Sequence, residues 1–160
     1  MAERRRIGEV YEVVLGDGRV AYFHHICNDE TQLGSAVIRV FNCIFSETEK
    51  PELSTLPGNG VMFHAHVFTK AGKVLNIWQK VGHIPAPSDN EIVFKDSRDY
   101  GVVPIGLSNN WDVWRTNGPR TNFGRLPEEY FDAEIGVVKA PPEIVKRILT
   151  GTYRPYMRFR

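Results

Sequence analysis

Cysteine is scarce in this chain: Cys27 and Cys43 are the only two among 160 residues. Each lies in an apolar, strand-like run, where a small buried thiol is the expected state and a disulfide is not. Charge of one sign is not in excess either. The net charge is +1, so no global field favours nucleic acid or an acidic membrane surface. No stretch approaches the ~18 apolar residues that a membrane-spanning helix needs. Arg4, Arg5 and Arg6 are basic, but Gly8, Glu9 and Glu12 follow where a signal peptide needs an apolar run. A solvated terminus is therefore expected, with a nucleic-acid arm as the alternative, and the cytoplasm is the expected location. Internal repeats and low-complexity segments are absent. So are the G-x-S-x-G and H-E-x-x-H motifs. The glycine pairs Gly16/Gly18 and Gly58/Gly60 lack the Lys-Ser/Thr of a phosphate loop and read as turns.

The chain is long enough to bury about 70% of its unfolded surface, so a single domain over residues 1–160 needs no disulfide or metal to fold. Its opening segment reads as a β-hairpin. Asp17-Gly18 is a favoured central pair for a tight turn with positive φ. A turn there pairs Leu15 with Val20, Val13 with Tyr22, Tyr11 with His24 and Glu9 with Ile26 on one face. Val14 with Ala21 and Glu12 with Phe23 then share the other face.

Residues 36–45 are rich in β-branched and aromatic side chains and read as a central strand. Residues 46–60 read as a loop with a short helical turn near Glu52 to Leu56. A strand over 61–68, a turn at Lys70 to Lys73 and a hairpin partner over 74–81 follow. Residues 91–94 and 101–106 are weaker strand candidates. Trp111 to Arg115 alternates before the Asn117-Gly118-Pro119 turn. Pro127 to Tyr130 reads as one helical turn and 135–138 as a late strand. Pro141, Pro142 and Glu143 open the clearest helix, and Gly151 ends it. The expected fold class is α+β: a mostly antiparallel sheet, strongly bent or closed as an SH3-like barrel, with a C-terminal helix packed on it.

Three clusters are candidates for function. His64 and His66 are two apart on a strand, so both point to one face, and two imidazoles there could grip a metal ion. Zinc needs three or four ligands, and His24, His25 or His83 are the available third. The competing expectation is a pair of structural histidines. Trp111, Trp114, Arg115, Arg120 and Arg125 form an aromatic and basic stretch. Tyr153, Arg154, Tyr156, Arg158, Phe159 and Arg160 form another. Such residues serve as core and solvated surface, as protein-binding anchors, or as stacking groups for nucleic acid. Asp96, Asp99, Glu128 and Glu129 read as solvated loop carboxylates. No cofactor is called for.

Three segments carry a resemblance. Gly8-Glu-Val-Tyr11, Leu15, Asp17-Gly-Arg19 and Tyr22-Phe23 resemble the opening of the Immunity protein 26 family of bacterial polymorphic-toxin loci. Trp78-Gln-Lys-Val-Gly-His-Ile-Pro85-Ala-Pro87 is similar to that family's Trp-x-x-Ile-Gly-x-Leu-Pro-x-Pro. Ala140 to Leu149 resembles its closing helix. The resemblance implies a non-enzymatic immunity protein that binds and neutralises a cognate toxin domain. A nucleic-acid-binding SH3-like module and a metal-dependent enzyme centred on His64 and His66 are the alternatives.

Overall fold

The computed structural model describes residues 6–88, 91–99, 102–103 and 107–153. Among them, in chain order, are β1 (Glu9–Val14), β2 (Arg19–Asp29), β3 (Ser35–Ser46), β4 (Val61–Val67), α1 (Thr69–Val74), β5 (Trp78–His83), β6 (Val93–Ser97), β7 (Trp111–Arg115), β8 (Thr121–Gly124), β9 (Glu134–Ile135) and α2 (Pro141–Thr150). The strands form a five-stranded sheet, β4-β3-β2-β1-β5, and a four-stranded sheet, β8-β7-β6-β9. All neighbours are antiparallel except β9, which runs parallel to β6. The class is α+β, with bent antiparallel sheets and a C-terminal helix. The strands divide between two sheets instead of forming one continuous barrel. No helix of the described residues is long and apolar enough to cross a membrane.

The opening hairpin is present, but its register differs by one residue from the expected one. Tyr11 faces Phe23 and Val13 faces Ala21. The Leu15 amide donates to the Arg19 carbonyl across a three-residue loop. Gly16 (φ 85°) and Gly18 (φ 82°) both adopt the left-handed region, and Arg19 closes the loop on the Asp17 carboxylate. A one-residue shift moves every β2 side chain to the opposite face. Phe23 therefore stacks on Tyr11 and meets Trp78 edge-on, each at 4.9 Å between ring centroids.

Both faces of the first sheet are covered. On one, Tyr11, Val13, Phe23, Val40, Phe63 and Trp78 pack beneath Ile144 and Ile148 of α2. Burying each of those isoleucines contributes about 2 kcal/mol. On the other, Val10, Val20, Tyr22 and Phe41 pack under Leu56, which belongs to the 3-10 turn Leu53–Asn59. Irregularities between Ala21 and Phe23 and between His25 and Cys27 bend the β2–β3 ladder. Beyond that bend, Ile26 and Val37 meet Phe94 and Trp114 of the second sheet. Trp111, Val113, Leu126 and Ile135 form a separate cluster in and around the second sheet.

The helix at the C-terminal end follows its sequence signals. Pro141 occupies its first turn, the Glu143 carboxylate accepts the Ala140 amide at 2.9 Å, and Gly151 (φ 79°) ends it in the left-handed region. The segment after β4 does not. Residues 70–73 lie in the helix α1 instead of a turn, and β5 pairs with β1. Trp78 is the reason. Its indole N–H donates to the Thr69 carbonyl at 2.8 Å, and a Cβ on Gly72 would sit 1.9 Å from its ring. The helix thus lies directly on the indole and carries the chain over to the β1 edge. Of the strand candidate at 101–106, only Val102 and Val103 are described, and neither lies in a strand.

Candidate functional site

Asp29, the last residue of β2, holds the two sheets together. Its Oδ2 accepts the indole N–H of Trp114 at 3.0 Å and the Nε2–H of His66 at 2.9 Å, and its Oδ1 accepts the Asn117 amide at 3.0 Å. The imidazole is the donor because the carboxylate can only accept. Burial raises the Asp29 pKa. The bonds from His66, Asn117 and Trp114 outweigh it and hold the carboxyl below its usual value. Asn117 (φ 61°) completes the junction. Its side chain donates to the Asn28 carbonyl and accepts the Glu30 amide, both at 2.8 Å.

His66 therefore builds architecture, with no accessible side-chain surface at which a substrate could meet it. It also packs 4.1 Å from the Phe94 ring centre. His64 stands in a different environment. Burial, then the charges of Arg39 and Arg147, push its pKa down to about 4. Two nearby guanidinium charges also disfavour a dication. Among the described residues, no three His, Cys, Asp or Glu side chains converge as a metal site requires. Cys27 is equally quiet: burial and the Asp29 charge raise its thiol to about 12.

The Trp111 to Arg125 stretch divides by burial. Trp111 and Trp114 are each 2% exposed and belong to the interior clusters, with Trp114 reaching the edge of a groove on the second sheet. Arg120 lies 4.2 Å above the Trp114 ring, donates to Gln32 at 2.9 Å and stands 3.6 Å from Asp112. Arg115 and Arg125 are exposed. Arg115 flanks a 520 Å³ groove on the second sheet that Val93, Val113, Phe123 and Tyr130 also line. In the C-terminal aromatic and basic stretch, Tyr153 packs under α2, with Arg147 at 4.7 Å from its ring centre. The remainder of that stretch, like Arg4 and Arg5, lies outside the described residues.

Two further grooves adjoin on the first sheet and share Val14 and Asn76. The larger, about 450 Å³, is lined by Lys73, Trp78, Gln79 and Lys80 as well. The smaller, about 310 Å³, extends along Leu15 and Ile77 to Pro142 and Val145 of α2. Lys80 pairs with Glu9 at 3.2 Å, and Lys73 stands 5.2 Å over the Tyr11 ring. The sequence does hold a signal for this region: between Glu52 and Asp89 there is no acidic residue, while Lys70, Lys73 and Lys80 fall within the interval.

These features define an α+β protein whose buried Asp29, His66, His24, His25 and Lys95 are hydrogen-bonded within the fold and whose open surface includes shallow grooves. The sequence model of the Immunity protein 26 family matches residues 6–102, more than half of the chain, and the protein belongs to that family. No curated protein and no solved structure matches it.

Proposed function

We propose that this protein binds a cognate bacterial toxin domain directly and holds it inactive, without catalysing a reaction, in the cytoplasm of the cell that makes it. The observation that carries this reading is the family match, which spans the whole first sheet and β6. Occlusion needs a complementary surface of standard size, roughly 1,600 Å² in total. It needs no reactive side chain, and the participation of His66 and Asp29 in the fold accords with that.

The test is co-expression with the C-terminal domain of a secreted multi-domain toxin, sought first in the genes next to this one. Growth is restored and the two chains co-purify if the reading is right. Toxicity that persists at full expression of this protein, with no complex recovered, overturns it for that pair.

A further inference from the structure

We propose that the partner protein docks on the face built by α1, β5 and the tip of the opening hairpin, and that it presents carboxylates around exposed aliphatic side chains. This rests on the reading that the protein binds a toxin domain, and adds where it does so and by what chemistry.

Three observations point to this face. The first is exposed apolar surface. Val74 and Leu75 at the end of α1 are 68% and 55% exposed, and Val14, which lines the groove together with their chain neighbours Lys73 and Asn76, is 46% exposed. Exposed aliphatic groups that gather in one patch beside a groove are the kind of surface at which proteins associate.

The second is charge. The interval from residue 53 to 88 contributes Lys70, Lys73 and Lys80 and no carboxylate. The acidic groups near the grooves are already engaged. Glu9 accepts from Tyr11 and neutralises Lys80, Glu12 opposite Gln79 pairs with Lys50, Asp17 is paired with Arg19, and Glu143 caps α2, so Lys70 and Lys73 are the cations this segment carries in excess. A partner surface bearing carboxylates is complementary to such a field, and a basic one is repelled.

The third is continuity. The two adjoining grooves form one path from Lys80 to Val145. Nearly all of its lining belongs to the segment that matches the family. The groove beside Arg115 is built mainly from residues beyond that segment. β5 is also an edge strand, irregular where Val10 and Tyr11 face Gly82 and Lys80. Such an edge resists open-ended pairing with further strands, so specificity falls to its side chains.

The experiment uses the full chain and the toxin domain whose toxicity this protein relieves in the co-expression test. Affinity is measured for the wild type, for Lys73→Glu with Leu75→Asp, and for Lys80→Gln, which leaves no second carboxylate beside Glu9. Melting curves check folding. The double variant is expected to weaken the complex about a hundredfold, and Lys80→Gln about fivefold. Added salt weakens the wild-type complex. Hydrogen exchange on the unmutated complex, which depends on no variant, shows protection over residues 68–83. Wild-type affinity in the double variant, or loss confined to Arg115→Glu with Phe123→Asp, overturns the proposed face while leaving the immunity reading intact. No wild-type complex at all overturns both. Two other occupants also overturn it: a self-dimer dissolved by Leu75→Asp in sedimentation, or tight binding of a labelled RNA or DNA oligomer abolished by the double variant.

Discussion

The carboxylate of Asp29 and the imidazole of His66 meet at 2.9 Å with neither side chain exposed to solvent. One is the end of β2 and the other lies in edge strand β4. The same carboxylate takes the indole N–H of Trp114 from the second sheet. A single acceptor therefore ties β2 to β4 of its own sheet and to β7 of the second, beside the apolar contacts of Ile26 and Val37 with Phe94 and Trp114.

Removing that acceptor is expected to be severe. Asp29→Ala leaves the Trp114 N–H and the His66 N–H buried without their acceptor and also takes away that of the part-buried Asn117 amide. Each orphaned buried donor costs about 1–3 kcal/mol, so with two of them the variant should lose on the order of 2–6 kcal/mol. Urea unfolding measures this. A loss below about 1 kcal/mol would mean that the junction is held by its apolar contacts instead.

The hairpin loop gives a smaller, backbone effect. Gly18 sits at φ 82° with nothing within 4 Å of a would-be Cβ, so a substitution there meets conformational strain and no clash. Gly18→Ala should lower stability by about 1 kcal/mol and Gly18→Asn by clearly less, because asparagine tolerates the left-handed region. Equal melting temperatures for the two variants would contradict this account of the turn.

The sequence made some of these features legible and hid others for a physical reason. The helix α2 is written locally: Pro141, Glu143 and Gly151 each act within a turn of their own position. The Asn117-Gly118-Pro119 turn is equally local. Hairpin register is not. Asp17-Gly18 suits loops of two or three residues, and the choice follows from Phe23 packing on Tyr11 and Trp78. The pairing of β5 with β1 likewise depends on Trp78 capturing α1. Asp29 is invisible in sequence because its partners His66, Trp114 and Asn117 lie 37, 85 and 88 positions away. Trp111 and Trp114 carry no local mark that separates an interior ring from a surface anchor, and packing alone decides it. The basic interval around α1 and β5 could be read from residue types, but only once the fold brings Val14 beside it.

The docking of α2 depends on Arg147 as well as on its isoleucines. The guanidinium lies 4.2 Å from the Phe63 ring centre and 4.7 Å from that of Tyr153. Its Nη2 donates to Glu134 at 2.7 Å. Burial lowers the Arg147 pKa, and the bond and charge of Glu134 more than restore it. Arg147→Ala loses the stacking and leaves the Glu134 carboxylate without its partner, an expected loss of about 2–3 kcal/mol. Hydrogen exchange over residues 141–150 should quicken more than over β2 and β3. Uniform acceleration across the chain would show that α2 is not a separately docked element.

Stability should fall in mild acid, and the direction follows from two histidines. Arg39 donates to His24 Nδ1 at 3.2 Å, and His24 Nε2–H donates to the Ile84 carbonyl at 2.9 Å, so the folded state holds a neutral ring. Burial pushes the His24 pKa down to about 4, against the Ile84 bond and with the help of the Arg39 charge. His64 is also pushed down to about 4. In the unfolded chain both take up protons near pH 6.5. Stability from keeping them neutral is therefore complete above about pH 6.5 and declines as the pH falls towards 4, because the unfolded state then binds more protons. Asp29, held below the usual carboxyl range, extends the loss to still lower pH. The melting temperature should be flat from about pH 8 to 6.5 and drop steeply by about pH 4.5. His24→Gln should start from a lower plateau but show a shallower slope in that window, since it removes one of the two titrating rings. An unchanged slope in that variant would assign the acid response to His64 and the carboxylates, and a flat profile in the wild type would show that neither ring is held neutral by the fold.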